Sequence, residues 1–97
     1  MYLHLGVHTV VSMNDVIGIF DMDTSTVEKN TRDYLARAEK EGDVINVSME
    51  LPKSFVVCRS PLKKSGRVVY ISQISTATLL RRSEYIESIS NIRAAKK

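Results

Sequence analysis

Two histidines and one cysteine are the side chains of this sequence that most readily bind a metal ion. His4 and His8 flank Gly6, and a turn at this glycine would bring the two imidazoles together. A zinc site needs further ligands, and a third one is hard to name because Cys58 lies in an apolar segment. Packing in the core or at a sheet edge explains both histidines better. The sequence therefore predicts no metal site and no cofactor.

Asp21 and Asp23 form an Asp-x-Asp pair after an apolar segment, a pattern that in some proteins holds divalent cations or phosphates. The same carboxylates would stabilise the N-terminus of a helix that follows them. Cys58 would need an activating base to act as a nucleophile, whereas its apolar neighbours predict burial. The sequence has no Gly-rich phosphate loop, Ser-centred elbow or zinc-ligand spacing. We therefore predict that the chain is not an enzyme, and a metal- or phosphate-dependent enzyme built on these aspartates and histidines is the weakest of three hypotheses.

Positive charge is concentrated in the second half of the chain. The net charge is only +3, but residues 1–52 carry four Lys/Arg against nine Asp/Glu, whereas residues 53–97 carry ten against two. Lys and Arg on the exposed loops of a rigid sheet suit phosphate contacts. Few aromatic residues lie between them, which argues against a platform for stacking single-stranded bases. The simpler alternative is a solubilising surface with a basic tail. The candidate DNA-binding residues are Lys53, Arg59, Lys63, Lys64, Arg67, Arg81 and Arg82.

Size and composition predict one small domain. The chain has 97 residues, 43% of them hydrophobic, which is enough for one modest core. No apolar run approaches the ~20 residues that a membrane helix requires, and the start MYLHLG does not resemble a signal peptide. A single cysteine is typical of a reducing compartment, so we expect a cytoplasmic protein. The predicted domain covers residues 1–90, and residues 91–97 form a frayed basic tail.

Short β-prone segments dominate the pattern. Val16–Phe20 is the most apolar of them and is predicted to be a central strand, covered on both faces, that closes a compact β unit over the first 23 residues. Val44–Met49 alternates, with Ile45, Val47 and Met49 on one face. Residues 54–58 and 67–72 are predicted to be antiparallel neighbours, because the polar segment between them contains Pro61 and Gly66. The remaining strands are predicted at Tyr2–Leu5 and Thr9–Val11.

Two helices complete the prediction. Ser25 and Glu28 have the spacing of a capping box, and the helix that they begin should end at Gly42. The second helix should begin at Ser75, with Ile74 and Leu79 placed as a hydrophobic staple, and fray from about residue 91. The expected fold is α+β, a small single domain with a mostly antiparallel sheet of about five to six short strands and two helices.

Four segments in order resemble one family. MYLHLG, DVIGIFD, PKSFVV and ISQISTATLLRR are similar to segments of the small bacterial extracellular-matrix regulatory proteins, and the B type in particular, over residues 1–86. The A-type members are DNA-binding regulators of biofilm-matrix genes that assemble into rings and hold DNA through arginines. The resemblance thus implies a homo-oligomeric DNA-binding regulator. The A-type arginines correspond here to Asp15 and to Leu51-Pro52, which leaves Lys53 nearby.

Because the A-type arginines are absent at these positions, a second hypothesis stays open. In it, the chain is an oligomeric interaction protein that does not bind DNA and acts through a protein partner, for example an A-type relative. The preferred hypothesis is an oligomeric regulator of extracellular-matrix genes that binds double-stranded DNA through phosphate contacts. A separate physical argument also favours side-by-side assembly, because neighbouring subunits can pair the exposed edges of a small sheet.

Overall fold

The computed structural model describes residues 1–6, 8–25 and 29–84 and shows an α+β fold, as predicted. Six strands lie in the described residues: β1 Tyr2–His4, β2 Val10–Ser12, β3 Val16–Asp21, β4 Val44–Asn46, β5 Ser54–Arg59 and β6 Arg67–Ser72. A 3₁₀ turn at Met13–Asp15 precedes β3, and the helices are the single turn α1 Met22–Ser25, α2 Lys29–Lys40 and α3 over residues 76–84.

The strands form two sheets. β1 and β2 pair antiparallel, and the other four form a sheet in the order β3-β5-β6-β4. β5 is antiparallel to both β3 and β6, whereas the short β4 runs parallel to β6. The predicted hairpin of β5 and β6 is therefore confirmed, and most pairings are antiparallel.

Both faces of the four-stranded sheet are covered, because alternate residues of β5 and β6 point to opposite sides. On one side, Val56 and Cys58 pack with Leu79 of α3 and with the β1–β2 pair. On the other, Phe55 and Val57 pack against α2. β5 is thus the buried centre of the fold.

Two buried serines fix the β1–β2 pair and α3 onto the main sheet. Ser54 and Ser72 are register partners on β5 and β6, and neither is exposed. The Ser72 hydroxyl donates a hydrogen bond to the Leu5 carbonyl oxygen over 2.7 Å and accepts one from the Ile74 N–H over 3.0 Å. The Ser54 hydroxyl donates to the Ile74 carbonyl oxygen over 2.7 Å. The start of α3 and the end of β1 are therefore held by the same pair of side chains.

Two predicted helix ends, at Gly42 and at Ser75, are confirmed. Gly42 follows α2 with a φ of 77°, and its N–H donates to Glu39 while that of Asp43 donates to Ala38, which together form a Schellman motif. Ser75 caps α3 by accepting a hydrogen bond from the Thr78 N–H over 3.3 Å. Ser25, the predicted N-cap of the first helix, is instead the last residue of the single turn α1. The rest of the capping box, residues 26–28, lies outside the described residues, as do the basic tail and the predicted end of the second helix.

The prediction that Val16–Phe20 is a central strand, covered on both faces, is wrong. β3 is an edge strand of the four-stranded sheet, and it does not pair with β1 or β2, so the first 23 residues do not form one β unit. A bulge between Val16 and Gly18 interrupts the alternation. As a result, Ile17 is 56% exposed and Phe20 is 41% exposed.

The prediction for Val44–Met49 is wrong in the length of the strand and in two of the three residues expected on its buried face. β4 covers only three residues, and the alternation puts neither Ile45 nor Met49 in the core: Ile45 is exposed and Met49 is fully so. Only Val47 packs against the core from this set. The chain leaves the sheet here because it must pass from the edge strand β4 across to β5 in the interior of the sheet.

Candidate nucleic-acid interface

Four of the seven candidate cations lie together at one end of the sheet. We name Arg59, Lys63, Lys64 and Arg67 the basic hairpin cluster. Arg59 ends β5, Arg67 begins β6, and the two are direct partners in the strand register. Lys63 and Lys64 lie on the loop between these strands, which is closed by hydrogen bonds from the Ser60 N–H to Gly66 and from the Gly66 N–H to Lys63. Local strand pairing therefore brings all four together.

The paired arginines place like charges opposite one another, which destabilises an isolated hairpin. One acidic partner relieves part of this repulsion. The Arg59 guanidinium lies 3.3 Å from the Asp15 carboxylate, and both side chains are well exposed. Such a surface ion pair stabilises the fold by about 1 kcal/mol at most, so an external anion can compete for the arginine.

The hairpin loop is fastened to the end of α2. The Lys63 ammonium donates to the carbonyl oxygen of Gly42 over 3.3 Å, where a cation complements the helix dipole. The Ser65 hydroxyl donates to the Asp43 carboxylate over 2.7 Å. Lys64 is exposed. The loop thus presents its lysines from a fixed backbone.

Arg37 is a fifth cation at this end, and the sequence prediction missed it. Together with Arg67 it lines a polar cleft of about 310 Å³ between α2 and the hairpin, where Glu41 and Asp43 also lie. Arg37 precedes the end of a helix by one turn, and this position alone did not connect it with the hairpin. The two acids partly neutralise the two arginines, so this cleft is less positive than the loop.

The other three candidates lie away from the cluster. Lys53 precedes β5, and β5 has six residues, so it is separated from Arg59 by about 20 Å at the usual rise of a strand. Arg81 and Arg82 are exposed on α3 over the opposite face of the sheet from α2. The Arg82 guanidinium donates to the His4 carbonyl oxygen over 3.1 Å. The seven residues therefore do not form one continuous surface, and the prediction that they contact DNA stays a prediction.

The metal and nucleophile candidates are dispersed. His4 and His8 are both exposed, Asp21 ends β3 and Asp23 lies in α1. In residues 1–6, 8–25 and 29–84, no three His, Cys, Asp or Glu side chains come together as a metal site. In the same residues, no helix is long and apolar enough to cross a membrane.

Cys58 is buried, with 2% of its surface exposed. Burial, and secondarily the charge of Asp15, raises the pKa of its thiol to about 11. A thiol in this setting is a poor nucleophile, because the reactive thiolate is scarce near neutral pH. The predicted burial of Cys58 is confirmed.

Cys58 should therefore resist alkylation in the folded protein. At about pH 8 only about one thiol in a thousand is ionised when the pKa is about 11, so iodoacetamide should label the native chain far more slowly than the denatured chain. Mass spectrometry of timed samples measures both rates. Labelling of native protein at the denatured rate would contradict the buried position of β5.

Comparison with known proteins gives a curated relative that matches nearly the whole chain. No family model matches the sequence. The chain is 30% identical to extracellular matrix regulatory protein B of Bacillus subtilis (strain 168) over 91 residues, which cover 94% of this chain and 100% of that protein.

Proposed function

This chain belongs to the family of extracellular matrix regulatory protein B, and we propose that it is an oligomeric DNA-binding regulator of extracellular-matrix genes that acts inside the cell. The relative's name supports the regulatory role. The proposal adds that the basic hairpin cluster binds the phosphates of double-stranded DNA.

The opposed pair Arg59 and Arg67 is the observation that carries this proposal. Their Cα atoms are about 5 Å apart in an antiparallel pair, so two positively charged side chains stand opposite one another, and an anion that binds both relieves their repulsion. A phosphate can accept hydrogen bonds from either guanidinium. Lys63 and Lys64 extend the positive surface along the loop, as phosphate contacts along a backbone require.

Oligomerisation, the second part of the proposal, would raise the affinity for DNA through avidity. One subunit with a net charge of +3 has a weak attraction for DNA, but several linked copies turn separate phosphate contacts into one multivalent interaction. The edge strands β3 and β4 of the main sheet offer backbone groups to a neighbouring copy.

The salt dependence of DNA binding tests this function. If all four cluster residues contact phosphates, the logarithm of the affinity should fall against the logarithm of salt concentration with a slope of about −3.6 per engaged subunit. Fluorescence anisotropy of a labelled mixed-sequence duplex, measured from about 0.05 M to about 0.2 M KCl, gives this slope. A folded protein that shows no binding at the lowest salt contradicts the proposal.

The ion pair between Arg59 and Asp15 favours a second candidate function. It lowers the positive field at the hairpin, and Glu41 and Asp43 lower it further on the α2 side. In this alternative the chain does not bind DNA and acts by contacting another protein, for example an A-type relative. Calorimetric titration of a purified A-type protein into this chain, with no DNA present, would detect that interaction.

A further inference from the structure

An apolar groove lies between the edge strand β3 and helix α2. It has a volume of about 280 Å³ and is lined by Ile17, Phe20, Tyr34, Phe55, Val57 and Arg67, together with two neutral polar side chains of α2. The Phe20 ring stacks on that of Phe55 with their centres 5.0 Å apart. Arg67 is the one charged side chain among the described residues that line the groove. The groove is thus suited to a segment in which an acidic residue lies next to apolar residues.

Gly18 makes the shape of this groove possible. A Cβ atom at this position would lie 2.7 Å from two atoms of the Phe20 ring. The absence of a side chain lets the ring lie back along β3 and stack on Phe55. Ile17 lies at the open rim of the groove, where it is 56% exposed.

The chain has an exposed loop with complementary side chains. Met49 is fully exposed and Leu51 is 79% exposed, and Glu50 lies between them. The Ser48 hydroxyl accepts a hydrogen bond from the Glu50 N–H over 3.1 Å, which fixes the turn before these side chains. Two large apolar side chains in water on one short loop are typical of a contact surface, since each loses the free energy of burial while it is exposed.

We propose that the Met49–Leu51 loop of one copy fills the groove beside β3 of a second copy, with Glu50 placed toward Arg67. The proposal rests on the oligomer in the proposed function and identifies its contact. Glu50 then competes with phosphate for Arg67, so in the assembled protein the phosphate contacts fall to Arg59, Lys63 and Lys64 and the salt slope to about −2.7 per engaged subunit. A second copy is the occupant because this chain itself carries both halves: an apolar groove with a single cation and an apolar loop with a single anion.

The contact joins two different surfaces of the subunit. The loop crosses from β4 to β5, and the Lys53 carbonyl oxygen just after it accepts a hydrogen bond from the Met22 N–H at the end of β3. Met49, Glu50 and Leu51 are not among the described residues that line the groove, so the loop and the groove are separate surfaces. Each copy that uses its groove still offers its loop. If that loop enters the groove of a third copy, the contact gives a ring or an open chain, whereas two copies that exchange loops reciprocally form a closed two-fold dimer.

Two variants, each defective in one half, test the proposal. Met49→Ser/Leu51→Ser removes the apolar loop and keeps the groove, whereas Ile17→Glu places a charge that repels Glu50 at the groove rim and keeps the loop. For each variant alone, the dissociation constant of self-association should be at least about a hundredfold higher than for the wild type. The loop variant lacks the two apolar side chains that would be buried, and the groove variant prevents them from entering the groove. Light scattering coupled to gel filtration gives the mass of each sample.

Mixing the two variants distinguishes a contact of loop with groove from one in which loop meets loop or groove meets groove. The groove of the loop variant and the loop of the groove variant are both intact, so an equimolar mixture should form a 1:1 complex and nothing larger. Leu62→Ser is the matched control, because Leu62 is 97% exposed in the β5–β6 loop and lies outside the proposed contact. This variant should keep the wild-type mass, and circular dichroism should show that all variants are folded.

Two results would overturn the contact while the oligomer stands: a loop variant with the wild-type mass, or a mixture of the two variants that stays monomeric while the wild type assembles. A wild type that is monomeric at every concentration would overturn the contact and the proposed oligomer together. DNA binding by the same samples is measured separately, so its loss is not confused with either result.

Discussion

Leu79→Ala should destabilise the protein by about 2–5 kcal/mol. Leu79 is not exposed at all, and it packs from α3 into the cluster that joins the β1–β2 pair to Val56 and Cys58 of β5. Truncation to alanine removes apolar burial and leaves a cavity between three elements that cannot easily collapse. Urea unfolding followed by circular dichroism at one fixed protein concentration gives the free energy of unfolding, and the fixed concentration keeps any contribution of assembly constant.

Leu80→Ala is the matched control for this prediction. It makes the same substitution at the next position of the same helix, but Leu80 is 44% exposed, so the cost should be below about 1 kcal/mol. Leu79→Met keeps most of the buried volume and should cost less than about 1.5 kcal/mol, which provides a folded variant if alanine unfolds the domain. Equal effects at positions 79 and 80 would show that α3 does not pack on the sheet.

The elements that the sequence predicted well are those with local signals. Pro61 and Gly66 lie in the segment between two β-branched runs, and antiparallel pairing is the simplest connection over so few residues. Ser75 caps the start of α3 by a hydrogen bond to a residue within one helical turn, and Gly42 adopts the left-handed conformation just after α2. Because these interactions are completed by neighbouring residues, no knowledge of the tertiary structure was needed to find them.

The position of β3 could not be predicted in this way. Residues 16–20 and 54–58 are both short, apolar and β-branched, and nothing within either run indicates which one other elements cover. The order of strands in a sheet depends on contacts between distant segments. The parallel pairing of β4 with β6 has the same origin, because it requires a crossover through a loop and β5.

The same difference between local and long-range contacts explains which residues of the candidate site could be predicted. Arg59 and Arg67 were placed together correctly because strand register follows from the hairpin. Lys53 and Arg82 were grouped with them by charge alone, and the fold separates them from the hairpin because β5 runs between its two ends and α3 lies on the other face. Arg37 was missed since only the tertiary packing of α2 brings it to the cleft beside Arg67.

Reversal of charge at the hairpin tip should have the largest effect on DNA binding. Under the proposed function, Lys63→Glu/Lys64→Glu removes two phosphate contacts per subunit, and each contact contributes a factor of about eight to the affinity at about 0.1 M salt. The affinity should fall about 60-fold or more at that salt concentration, and the slope against the logarithm of salt should become shallower by about 1.8 per engaged subunit. The anisotropy titration that measures the wild-type slope measures both quantities.

The matched control reverses two cations at the start of α2, at the opposite end of this helix from Gly42, which Lys63 contacts. Lys29→Glu/Arg32→Glu changes the net charge by the same amount, and both residues are exposed near the start of the helix. If general electrostatic attraction alone held the DNA, the two double variants would lose affinity equally, and that result would contradict a localised site.

Lys64→Glu alone separates an effect on binding from an effect on folding. Lys63 contacts the Gly42 carbonyl oxygen, so its reversal also disturbs the end of α2, whereas Lys64 is exposed on the loop. The single variant should therefore unfold at the wild-type urea concentration and still show a slope shallower by about 0.9 per engaged subunit.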